Sequence, residues 1–109
     1  MRNVTRTVCK AFIDGKRKTV DNTHTDNDAL FLHWNMIARR TDGHYYVTLA
    51  GWPTVTTRER LNGLCQLLGI SERFYQSRHT QYFGGEEISP HEWICLTPLM
   101  EKRLTVDAS

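Results

Sequence analysis

The stretch ALFLHWNMIARRTDGHYYVTLAGWPTVTTRERLNGLCQLLG, residues 29–69, decides the fold. In its first part Leu30 and Leu32 alternate with Phe31 and His33, which is the two-residue period of a strand with one buried face. Asn35 permits a reversal into Met36 to Arg40, so a tight hairpin fits and Trp34 sits at its tip. Asp42-Gly43 supplies a second turn, because both residue types tolerate positive φ. The segment HYYVTLA that follows, residues 44–50, carries the aromatic and β-branched residues that suit a pleated sheet. Three consecutive antiparallel strands are expected here.

Gly51-Trp52-Pro53 then breaks the strand, and Thr56 with Glu59 has the spacing of a capping box. Leu61, Leu64, Cys65 and Leu68 recur at helical spacing, with Arg58, Glu59, Asn62 and Gln66 largely opposite. This predicts one amphipathic helix over about residues 57–68, closed by Gly69. Gly63 lies inside it, at a cost of about 1 kcal/mol relative to alanine.

Outward from this block the signals weaken. Residues 5–20 alternate loosely around Asp14-Gly15, which predicts a hairpin with Val8, Ala11, Phe12 and Ile13 before the turn and Val20 after it. DNTHTDND, residues 21–28, interrupts the apolar pattern and predicts a loop. RFYQS and TQYF, residues 73–77 and 80–83, resemble short strands, the second ending at Gly84-Gly85. Residues 97–109 hold Pro98 and have no clear period, as in an extension or tail. The expected class is α+β, an antiparallel sheet of about five strands in the order ββββ(β)αββ with one helix packed on one face.

A length of 109 residues with 39% hydrophobic and 24% charged residues fits a single globular domain over residues 1–109. No apolar run reaches the length a membrane-spanning helix needs, and MRNVTRTVCK has no export signal. Cys9, Cys65 and Cys95 are odd in number, widely spaced and set among apolar neighbours, which implies reduced, buried thiols. The net charge of +2 excludes an acidic DNA mimic and does not by itself announce a nucleic-acid binder. Ten of the 14 basic residues are arginine, a bias that supports a contact surface through directional bonding and stacking.

No catalytic residues are identified. Nucleophile elbows, P-loops and dinucleotide fingerprints are absent. His24-Thr25-Asp26-Asn27-Asp28 has metal-binding residue types, but its spacing matches neither a calcium loop nor a zinc pair. The same residues suit a turn. No metal and no cofactor are therefore expected, nor an enzyme. Two basic clusters remain, Lys16-Arg17-Lys18 and Arg39-Arg40, the latter facing Tyr45-Tyr46 across the second turn. Arginine beside tyrosine on a sheet can form a stacking platform for single-stranded nucleic acid. Trp52 and Trp93 are expected in the core, anchoring helix to sheet. Trp34 is expected in solvent, where a partner would meet it.

The segments NTHTDNDALFLHWNMIA, LAGWPTVTTRERLNGL and YFGGEEISPHEWI resemble a family of short proteins encoded by tailed bacteriophages. That pattern has an Asn-Thr-x-Thr loop, a Leu-x-Leu-His-Gly-Asn hairpin, an Ala-Gly-Trp-x-Thr-x-Thr-Thr segment leading into Arg-Leu-Asn, and a late Trp. The likeness spans about residues 8–95 and is most specific over residues 50–62; it departs at Trp34, where glycine is usual. The resemblance implies a phage accessory protein in the host cytoplasm, off the membrane, binding a host protein to inhibit it or to counter a defence. Trp34, Arg39, Arg40, Tyr45 and Tyr46 are the expected contact residues. The alternative is a nucleic-acid or nucleotide binder using the same arginine and tyrosine surface.

Overall fold

The computed structural model describes residues 1–101. In chain order the elements are α1 (Asn3–Ile13), β1 (Lys18–Val20), β2 (Thr23–Thr25), β3 (Ala29–Leu32), β4 (Asn35–Thr41), β5 (His44–Val47), α2 (Val55–Leu67), β6 (Phe74–Ser77), β7 (Thr80–Phe83), β8 (Glu86–Ile88) and β9 (Ile94–Cys95). The class is α+β, as the sequence indicates. A six-stranded antiparallel sheet runs in the order β1-β2-β3-β4-β5-β9, and a smaller sheet in the order β6-β7-β8. The anticipated strands β3, β4 and β5 form its centre and meet at turns of opposite purpose. Asp42-Gly43 takes positive φ at residues suited to it, whereas His33-Trp34 takes φ of 49° and 67° without a glycine.

The N-terminal hairpin is a correction: residues 3–13 are helical. Thr5, Val8, Cys9 and Phe12 are the buried positions, and their i, i+3, i+4, i+7 spacing is a helix face rather than a strand face. Asp14-Gly15 ends this helix instead of turning a hairpin. Gly15 takes φ of 71°, its N–H donates to the Phe12 carbonyl, and Lys16 N–H donates to the Ala11 carbonyl, the paired bonds of a Schellman cap. The loop expected over residues 21–28 also contains a strand, β2. Its inward residues are Thr23 and Thr25, whose hydroxyls made it read as polar loop.

Helix α2 appears as expected, two residues early. Its N-cap is Thr54, whose side chain accepts from Thr57 N–H, so the Thr56–Glu59 box does not form. Glu59 instead pairs with Arg60 and accepts from the Thr5 hydroxyl. Gly63 has a specific reason to be small: a Cβ there would lie 2.2 Å from Thr5 Cγ2 on α1. The helix-breaking residue thus marks where the two helices touch.

Both helices cover one face of the large sheet. Val8, Cys9 and Phe12 of α1 join Leu61, Leu64 and Cys65 of α2 over Leu30, Leu32, Ala38 and Val47. Burial pushes the Cys9 and Cys65 thiols up to about 12, and both cysteines are free. The layer is pinned by a buried arginine. Arg60, 2% exposed, donates from Nε to Thr23 Oγ1 and from Nη1 to Thr5 Oγ1, both at 2.9 Å, and from Nη2 to Asn22 Oδ1 at 3.4 Å. One side chain therefore links α2 to α1 and β2. Next to it, Asn62 attaches the small sheet: its Nδ2 donates to Phe74 O and its Oδ1 accepts from Phe74 N–H. Residues 97–101 are helical, and Leu99 and Met100 pack on the core. The remainder of the anticipated tail lies outside the described residues.

Candidate binding surface

Since side chains alternate across a sheet, the register assigns each residue of the large sheet to the helix-covered face or the open one. Leu30 opposes Ala38, and Ala38 opposes Val47; all three are fully buried under the helices. Their neighbours point the other way. His24 opposes Phe31, Phe31 opposes Met36, Arg39 opposes Tyr46, and Tyr46 opposes Cys95. A bulge between the β3 and β4 registers at Leu30/Phe31 lets Ile37 stay buried while Met36 and Arg39 both face outward.

The open face is aromatic. Arg39 lies between two rings, its guanidinium carbon 5.4 Å from the Tyr46 centroid and 4.7 Å from that of Trp93, a cation–π arrangement. His44 sits 6.5 Å from Tyr46. Toward the other edge, His24 approaches Phe31 at 6.0 Å and Trp34 at 5.5 Å. Trp34 is 78% exposed and Trp93 39%.

The five residues expected to contact a partner divide between the faces. Trp34, Arg39 and Tyr46 are on or beside the open one. Arg40 and Tyr45 are one residue out of phase and turn toward α1. Arg40 donates from Nη1 to the Phe12 carbonyl at 2.9 Å and from Nη2 to the Asn27 carbonyl at 2.6 Å, and it reaches the Tyr45 hydroxyl at 3.3 Å. Tyr45 packs edge-on against Phe12 at 5.8 Å. A cation at the carbonyl end of α1 is well placed against the helix dipole, so this pair holds a helix terminus.

The tryptophans expected in the core are on the surface. Trp52 is 59% exposed because Ala50 and Gly51, with φ of 55° and 74°, reverse the chain and carry it beyond the end of β5. Trp93 stays outside because it stacks on Arg39. Neither position was legible locally; Trp93 precedes a two-residue edge strand, and its contact is distant in sequence. The acidic loop after β2 takes its structural role: Asp26 Oδ1 accepts from the N–H groups of Asp28 and Ala29, and Thr25 Oγ1 donates to the Ala29 carbonyl. Among the described residues no helix is long and apolar enough to cross a membrane.

Fold and surface together define a small α+β protein with two helices on one sheet face and an open aromatic face on the other. The chain belongs to the Kyanoviridae Gp96 protein family, a tailed-phage family, whose model matches residues 1–102. Comparison with curated proteins and with solved structures gave no match.

Proposed function

We propose that this phage protein acts as a stoichiometric binder of a host protein in the host cytoplasm, without catalysis, and that the open face of the six-stranded sheet is its contact surface. The observation that carries this reading is the exposure of Trp34, Met36 and Trp93 around Arg39 and Tyr46 on that single face. Trp, Tyr, Met and Arg are the residues that dominate the centres of protein interfaces. Stacking fixes the Arg39 side chain in advance, which lowers the entropy lost when a partner orders it. Arg40 and Tyr45 support the sheet from behind through α1.

Charge favours a protein over nucleic acid. Among the described residues Arg39 is the arginine stacked on the rings of this surface, and a nucleic-acid groove draws its affinity from several phosphate contacts. The test is capture by tagged protein from infected cells over a range of salt concentrations. One host protein recovered at near-equal molar amount, retained as salt rises, supports the reading. Recovery of nucleic acid, lost steeply with salt, overturns it.

A further inference from the structure

Near the hairpin tip lies a second feature, which shares His33 with the surface around Trp34 and His24. A recess of about 470 Å³ opens between the end of the large sheet and the start of α2. None of Met36, Arg39, Tyr46 and Trp93 lines it. Its floor is aliphatic: Leu32, Ile37 and Leu49 are 4%, 1% and 1% exposed. Trp52 lines it as well, yet remains 59% exposed, so a large ring borders an apolar floor while still reaching solvent.

Asn35, His33 and the hydroxyl residues Thr54, Thr56 and Thr57 line the recess, and no Asp, Glu, Lys or Arg does. The first turn of α2 borders it, and the N–H groups of Val55 and Thr56 meet no acceptor among the described residues. The Thr54 hydroxyl takes Thr57 N–H, leaving these two donors to water or a ligand. An apolar cavity with a few convergent polar groups is the usual form of a small-molecule site. Its volume falls within the common range for such pockets, roughly 300–1,000 Å³.

We propose that this recess binds a small, uncharged, flat molecule carrying a hydrogen-bond acceptor at one edge. The ring of such a molecule lies on Leu32, Ile37 and Leu49 beside Trp52. Its acceptor meets the Thr56 N–H group, and Asn35 contacts the remaining polar edge. Cationic ligands are disfavoured, because no carboxylate lines the recess to offset their desolvation.

Benzamide has this chemistry and serves as the probe, with benzylammonium as the charged control and acetamide as the control without a ring. Titration of the full chain by amide NMR should give saturable shifts at Leu32, Asn35, Ile37, Leu49, Val55 and Thr56 and at the Trp52 indole N–H, with millimolar affinity. Two variants keep the test decisive. Thr56→Trp places a large side chain at the recess and should abolish the shifts with an unchanged far-UV spectrum. Trp52→Ala removes the bordering ring and should weaken binding at least several-fold. The proposal is overturned by an absence of saturable shifts, by equal shifts in Thr56→Trp, or by benzylammonium binding as well as benzamide. Each of these outcomes is independent of whether the sheet face captures a host protein.

Discussion

Replacing Trp34 by glycine separates structural from functional roles at the hairpin tip. Trp34 holds φ of 67°, and a side chain in the left-handed region costs about 1–2 kcal/mol that glycine does not incur. Against this, glycine loses more backbone freedom on folding, roughly 0.5–1 kcal/mol. The contact with the His24 ring, 5.5 Å away, is also lost, worth about 0.5 kcal/mol or more for an aromatic pair. The terms nearly cancel. Thermal melting of Trp34→Gly should stay within about 1 kcal/mol of the parent, a shift of no more than about 4–8 °C for a domain of this size. Binding should respond differently, because truncating a tryptophan anchor costs about 2 kcal/mol or more. That is about a 30-fold loss of affinity by calorimetry with the captured host protein. Unchanged affinity would refute the anchor role of Trp34. A large fall in melting temperature would refute the cancellation and make Trp34 structural.

Other perturbations test the scaffold. Arg60→Met deletes the guanidinium that joins Thr5, Thr23 and Asn22 and leaves Glu59 without its ion-pair partner; denaturant unfolding should show a loss of about 3 kcal/mol or more. Gly63→Ala gains about 1 kcal/mol of helix propensity but drives a methyl into Thr5, so the same assay should show net destabilisation, with overpacking costing about 1–3 kcal/mol. The buried thiols set an alkaline limit. Cys9 and Cys65 are raised from 9.0 to about 12 in the folded chain, so above pH 9.0 the unfolded chain releases protons that the folded chain keeps. Their contribution to stability is complete below pH 9.0 and declines as pH rises toward about 12; melting temperatures across that range should fall, less steeply in Cys9→Ala.

The sheet centre and α2 were legible because their signals are local. Asp42-Gly43 fixed the register of β4 on β5, and Leu61, Leu64 and Cys65 marked one helix face. Helix α1 was hidden because a Schellman cap and a hairpin turn both ask for glycine at positive φ. The helical spacing of Thr5, Val8, Cys9 and Phe12 was the discriminating signal, and a threonine at its start weakened it. Strand β2 was hidden for a related reason, since Thr23 and Thr25 are buried through hydrogen bonds to Arg60 and to the Ala29 carbonyl.

The surface was legible in half. Alternation alone sends Arg39 and Arg40 to opposite faces once β4 is accepted as a strand. Which face is open depends on where α1 packs. The block over residues 50–62 combines structural tasks: the Ala50-Gly51 reversal, the Thr54 cap, Arg60 in the layer between helices and sheet, Leu61 in the core and Asn62 holding β6. These residues serve the fold, and the proposed contact surface lies elsewhere.

The central claim is that the open sheet face holds the partner, and the double variant Arg39→Ala, Trp93→Ala tests it most directly. These two side chains stack on each other outside the core, so the variant should melt close to the parent. In parallel capture from infected cells, the parent should retain one host protein at near-equal molar amount and the folded double variant should lose it. Equal recovery of that host protein by both would contradict the account.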